Sequence, residues 1–192
     1  MQRKGLFPAI ITGLFLYLTG AAPLAQAVEA KGLRVTDPDQ IRLDTPSGLP
    51  VPRMVSLKSG KTYCRTGPSF EHPIELTFMR KGLPVMVIAE TTDYWRKIRD
   101  LEGDECWTHK STLSGAETAL VLRDGLVLHA RPQANAPARA RLGRGVIAYI
   151  EDARNGWLKV SADGVKGWAS VEAFWGAKAA APIAIANAAT HN

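Results

Sequence analysis

The sequence predicts an all-β protein of two tandem small β-barrels, with a removable signal and a disordered leader before them and a disordered tail behind. Three observations carry that expectation. From residue 53 to residue 176, short β-branched and aromatic runs alternate with Gly- and Pro-centred turns, and almost no 3.6-residue period is present. The same landmarks then recur: Pro68 and Pro132 lie 64 residues apart, Gly82 and Gly145 63, Trp95 and Trp157 62, Trp107 and Trp168 61. A drift of one residue per landmark is what loop-length differences between equivalent units produce. Each unit, at about 60 residues, is too small for a sandwich and suits a closed or half-closed barrel.

At the N-terminus, "MQRKG" supplies two cations, Gly5 to Val28 is uncharged, and "PLAQA" ends in the small-x-small pattern of a cleavage site. Residues 1–27 therefore read as a signal peptide, and its export predicts a periplasmic or secreted protein. An uncleaved membrane anchor is the alternative, because the apolar run is just long enough to span a bilayer. Such an anchor would be the one route to membrane contact. Residues 28–52 carry four prolines among polar residues and read as an extended leader.

The first barrel, residues 53–115, opens with two β-rich pieces around Ser59-Gly60 and continues through the turn Thr66-Gly67-Pro68. The Lys81-Gly82 turn, an apolar strand from Val85 to Ala89 and the hairpin "DYWRKIRDLEGDECWTHKS" follow. The second, residues 116–176, repeats that order, with Asp124-Gly125 as a hairpin signal and "NGWLKVSADGVKGWASVE" as the matching hairpin. Residues 177–192 are alanine-rich with no amphipathic pattern and read as a disordered tail.

Charge narrows the partners. Without Arg3 and Lys4 the chain holds 22 basic and 18 acidic residues, a charge of +4, and no Lys/Arg run exceeds two residues. That excludes a nucleic-acid signature. Cys64 and Cys106 are the only cysteines, and in an exported chain they are candidates for a disulfide. Two small buried thiols are the alternative.

The run "CRTGPS", the "KGLPV" turn, "YWRKIRDLEGDECWTHKSTLSG" and the whole second unit resemble bacterial SH3-like (SH3b) domains, found in tandem in exported proteins of proteobacteria. The likeness covers about two thirds of the chain. The second unit departs from it in "HARPQANAP", where R-x-G-P is usual, so its first loop is expected to differ in shape. The resemblance implies two SH3-like barrels and a binding role in the cell envelope, without fixing the ligand.

Strand alternation puts Ile98 and Arg96 on one face of their strand and Trp95 and Lys97 on the other; Leu158 and Val160 likewise oppose Trp157 and Lys159. If Ile98 and Val160 face the core, the first tryptophan of each pair faces outward, and aromatics partly outside a small barrel are how SH3-type domains build grooves. Tyr94, Trp95, Trp107, Trp157 and Trp168 are the groove candidates, with packing against loops as the alternative. Trp175 is assigned to packing at the end of the second unit.

No catalytic residue, metal site or cofactor is assigned. A Cys/His nucleophile drawn from Cys64, Cys106, His72, His109 and His129 would make a cell-wall hydrolase, but a disulfide would remove it. "CWTH" alone is not a zinc pattern. The expectation is a non-enzymatic binding protein for peptidoglycan stem peptide or an envelope protein segment. The alternative is a structural protein whose barrels pack together and occlude their grooves.

Overall fold

The computed structural model describes residues 40–177, so the signal, the first part of the leader and all but the first residue of the tail lie outside the described residues. The first domain contains β1 (Arg53–Leu57), β2 (Thr62–Arg65), β3 (Ile74–Phe78), β4 (Pro84–Glu90), β5 (Trp95–Arg99), β6 (Glu105–His109) and β7 (Leu113–Ser114). The second contains β8 (Thr118–Val121), β9 (Leu126–His129), β10 (Ala138–Leu142), β11 (Ile147–Arg154), β12 (Trp157–Ala162), β13 (Val165–Ser170) and β14 (Phe174–Trp175). Strand order is β3-β2-β6-β5-β4-β1-β7 in one sheet and β10-β9-β13-β12-β11-β8-β14 in the other. The two orders correspond strand for strand. Each sheet curls around one core, and no pairing joins its two end strands among the described residues.

The cores form where the inward faces meet. Val51, Leu57, Cys64, Val85, Val87, Ile98 and Cys106 fill the first domain; Leu126, Leu128, Ala148, Leu158, Val160, Ala169 and Phe174 are among those filling the second. Cys64 and Cys106 form a disulfide between the neighbouring strands β2 and β6. At the corresponding place in the second domain Leu128 packs on Gly167, where an added Cβ would lie 2.7 Å from the leucine Cβ. One interior position is thus filled by a covalent bridge in one copy and by a leucine over a glycine in the other.

Three sequence expectations are corrected. The leader is not disordered from residue 40 onward: Arg42 and Val51 pair through backbone hydrogen bonds of 2.7 and 3.0 Å, and Val51 is buried in the core. Ser47 N donates to Glu90 Oε2 at 3.0 Å and Arg42 Nη2 to the Ile88 carbonyl at 2.8 Å, which ties the loop to β4. The proline-rich composition concealed this, because the holding partners lie more than forty residues away in β4.

Asp124-Gly125 is a turn with Gly125 at φ +67°, but not a hairpin, since β8 pairs with β11 and β14 while β9 pairs with β10 and β13. Nor does the first loop of the second domain change shape. Thr66 N bonds the Pro73 carbonyl and Ser69 N the Gly67 carbonyl; Ala130 N and Gln133 N make the same bonds to Pro137 and Arg131. Backbone turns of one geometry accept both sequences because the side chains trade volume. An added Cβ at Gly67 would lie 2.5 Å from the His72 ring, whereas the second loop has Arg131 and Ala136 at those places.

The domains meet through β1, the turn before β4 and the start of β8. Ser56 Oγ lies 2.7 Å from Thr118 Oγ1, and Thr118 Oγ1 donates to the Gly82 carbonyl at 2.7 Å. Both hydroxyls are buried. Arg80 also donates to the Gly145 carbonyl.

Candidate functional site

Register decides where the tryptophans stand. Trp95 pairs with His109 and Lys97 with Trp107, while Ile98 pairs with the core residue Cys106. Trp95, Lys97, Trp107 and His109 therefore share the outer face of the first sheet. In the second domain Trp157 pairs with Ser170 and Lys159 with Trp168, again on the face opposite Leu158 and Val160. Each domain thus brings its two tryptophans onto one outer face, a rung apart.

An outer face is not the same as a solvent-exposed one. Trp95 is only 5% exposed, because Phe70 from the β2–β3 loop lies edge-on against it at 4.9 Å and His109 at 5.8 Å. Above this buried indole stand the covering rings. Phe70 is 70% and Tyr94 53% exposed, and His109 is half-buried between them, 5.8 Å from the phenyl and 6.4 Å from the phenol. Two cations attend the group, Lys110 Nζ at 3.7 Å over the Tyr94 ring and the Arg65 guanidinium at 5.8 Å from Phe70. Tyr94 has φ +66°, a left-handed conformation uncommon for a bulky residue. Its carbonyl accepts from Lys110 N at 2.9 Å, which holds the strained turn in place.

The second domain strips this platform away. Gly156, Ser170 and Ala134 stand where the first has Tyr94, His109 and Phe70. Trp157 is half-buried, with His129 edge-on at 5.9 Å, and a hollow of about 430 Å³ opens beside them. His129 Nδ1 lies 2.8 Å from the Ala136 carbonyl, which can only accept, so Nδ1 carries the hydrogen. Trp168 is buried, with the Arg154 guanidinium 5.7 Å from its ring, and Trp107 is half-buried.

These two faces lie apart from the domain junction, which uses β1, β8 and the turn at Gly82. Both sequence families of site residue are therefore present, but in different states: a covered indole crowned by exposed rings, and an indole beside a hollow. Phe70 was absent from the sequence candidates. The 64-residue offset that aligns Pro68 with Pro132 also aligns Phe70 with Ala134, and that substitution was the available signal.

Two copies of one seven-strand order, each with a tryptophan-bracketed hairpin, agree with a family model described as bacterial SH3 domain, which matches residues 58–115 and 123–176. The chain belongs to the bacterial SH3 domain family. Among solved structures, this SH3 pair is similar to NlpC2 from Trichomonas vaginalis, at 13% identity over 65% of this chain and 48% of that one, with a TM-score of 0.30. It is similar also to NlpC1 from the same organism, at 14% identity over 65% and 45%, with a TM-score of 0.29. The chain spans about half the length of those structures. No curated protein matches it.

With both cysteines joined, neither sulfur is a thiolate. The nucleophile or zinc ligand that the sequence left open at Cys64 and Cys106 is removed by that bond.

Proposed function

We propose that this protein is an exported, non-enzymatic binding module of the cell envelope, and that its cell-wall ligand docks on the aromatic platform of the first domain. One observation carries the reading: Phe70 and Tyr94 are assembled as exposed rings over a buried tryptophan, with the half-buried His109 between them and Tyr94 held in a strained backbone conformation. Large apolar rings gathered on a surface mark interaction sites. Arg65 and Lys110 at the rim suit the free carboxylates of a peptidoglycan stem peptide, and the rings suit the faces of peptide or sugar. Membership of the bacterial SH3 family supports a wall component as the ligand class.

The test is sedimentation of the full chain with purified peptidoglycan sacculi. Wild type is expected in the pellet, and Tyr94→Ala with Phe70→Ala is expected to reduce pelleting about tenfold, the equivalent of losing ~1.4 kcal/mol. A wild-type protein that stays in the supernatant would sink the cell-wall reading.

A further inference from the structure

The outer face of Trp95 is filled from within the chain. Phe70 reaches over from its loop and sets its ring edge-on against the indole at 4.9 Å. The corresponding loop of the second domain makes the same two backbone hydrogen bonds, so residue 134 occupies the place of residue 70. That residue is alanine. What remains is a hollow of about 430 Å³, walled by Leu126, Val127, His129, Ala134, Trp157 and Ala169. Its size falls within the ~300–1,000 Å³ of small-ligand clefts.

We propose that this hollow receives an aromatic side chain of a partner polypeptide, seated on Trp157 as Phe70 is seated on Trp95. The chain supplies its own template for the occupant. Edge-on packing against an indole is a preferred geometry of aromatic pairs, so a ring gains more here than an aliphatic group of equal area. The edge of His129 stands beside the indole and completes an aromatic corner. Arg123 lies exposed at the wall of the hollow, with no carboxylate partner among the described residues. An acidic residue next to the aromatic one would meet it. The partner segment is therefore an aromatic side chain beside an acid. This inference concerns the second domain and does not rest on the cell-wall reading, which is placed on the first.

The experiment is an NMR titration of the full chain with acetyl-glutamyl-phenylalanine amide, and with acetyl-glutamyl-alanine amide as control. The phenylalanine probe is expected to shift the Trp157 indole N–H and the Ser170 amide, at a Kd on the order of 1 mM for a fragment of this size. The alanine control is expected to shift neither. Ala134→Phe should fill the hollow from within and weaken the probe at least about tenfold, while spectral dispersion shows the fold intact. Phe70→Ala should do the reverse and open a second site that moves the Trp95 indole N–H. Equal binding of both probes, or unchanged binding by Ala134→Phe, would overturn the proposal. So would concentration-dependent dimerisation that Ala134→Phe abolishes, since the occupant would then be a second copy. If Ala134→Phe binds sacculi normally yet loses the probe, the two sites are separate, as proposed.

Discussion

Glu90 joins the folded part of the leader to β1, β4 and β5. Its side chain is fully buried and receives Ser47 N and the guanidinium groups of Arg53 and Arg96, the latter with Nε at 3.0 Å. Burial by itself pushes its carboxyl up, but the Ser47 amide and the two arginines outweigh that, and the net position is below the usual carboxylate range. A carboxyl held low in the folded chain contributes stability that is complete above its ordinary pKa and is lost as pH falls through the depressed folded value. Acidification should therefore release residues 42–51 from β4, seen as a loss of amide-exchange protection, relative to the intrinsic rate at each pH, at Arg42 and Val51. Glu90→Gln should do so at neutral pH and destabilise the first domain by about 3–5 kcal/mol, the usual effect of breaking a buried ion pair. If the Arg42 and Val51 amides stay protected in Glu90→Gln at pH 7, the clamp is not what holds the leader. The second domain shows the apolar alternative, because Leu158 and Ala153 pair where Arg96 and Glu90 pair in the first. Nothing in the local sequence around Ser47 announces this cluster, since its partners come from three separate segments.

At the scale of elements, the two hairpins and the faces of their first strands were legible in the alternation of "WRKIR" and "WLKV", since a period of two fixes which face a strand residue takes. Less legible was what lies over that face. Trp95 is buried by Phe70, twenty-five positions earlier in a loop, and no strand pattern reports on a loop's reach. Turn chemistry gave the position of Asp124-Gly125 correctly, while the pairing of the flanking strands was set by longer-range contacts of β8 with β11 and β14. The interior exchange of Cys64–Cys106 for Leu128 over Gly167 makes a specific expectation. Losing the disulfide by Cys64→Ala with Cys106→Ala should destabilise the first domain by up to ~4 kcal/mol on the chain-entropy estimate, and leave a void besides. Cys64→Leu with Cys106→Gly transplants the second domain's solution and should recover at least about 1 kcal/mol of that loss, because the leucine refills the volume. Chemical denaturation of both double variants measures it. Equal stability of the two would show that the interior positions are not equivalent.

On the scale of the whole molecule, the question is whether two small domains behave as one body. Each has a core of modest size, and a domain of about 60 residues is marginal alone. Only the first has a covalent staple. The hydroxyls of the junction at Ser56 and Thr118 are buried and hydrogen-bonded, so separating the domains would have to rehydrate them. Holding the domains together also fixes the spacing between the platform at Trp95 and the hollow at Trp157. Thr118→Val removes the hydroxyl but keeps the shape, leaving the Gly82 carbonyl without its donor and the Ser56 hydroxyl without one partner. Such buried unsatisfied groups cost about 1–3 kcal/mol. Calorimetry of the wild type should therefore show one cooperative transition, whereas Thr118→Val should split it, with the unstapled second domain melting first. Two separate transitions already present in the wild type would mean that the junction couples nothing, and that the two faces act as independent sites on one chain.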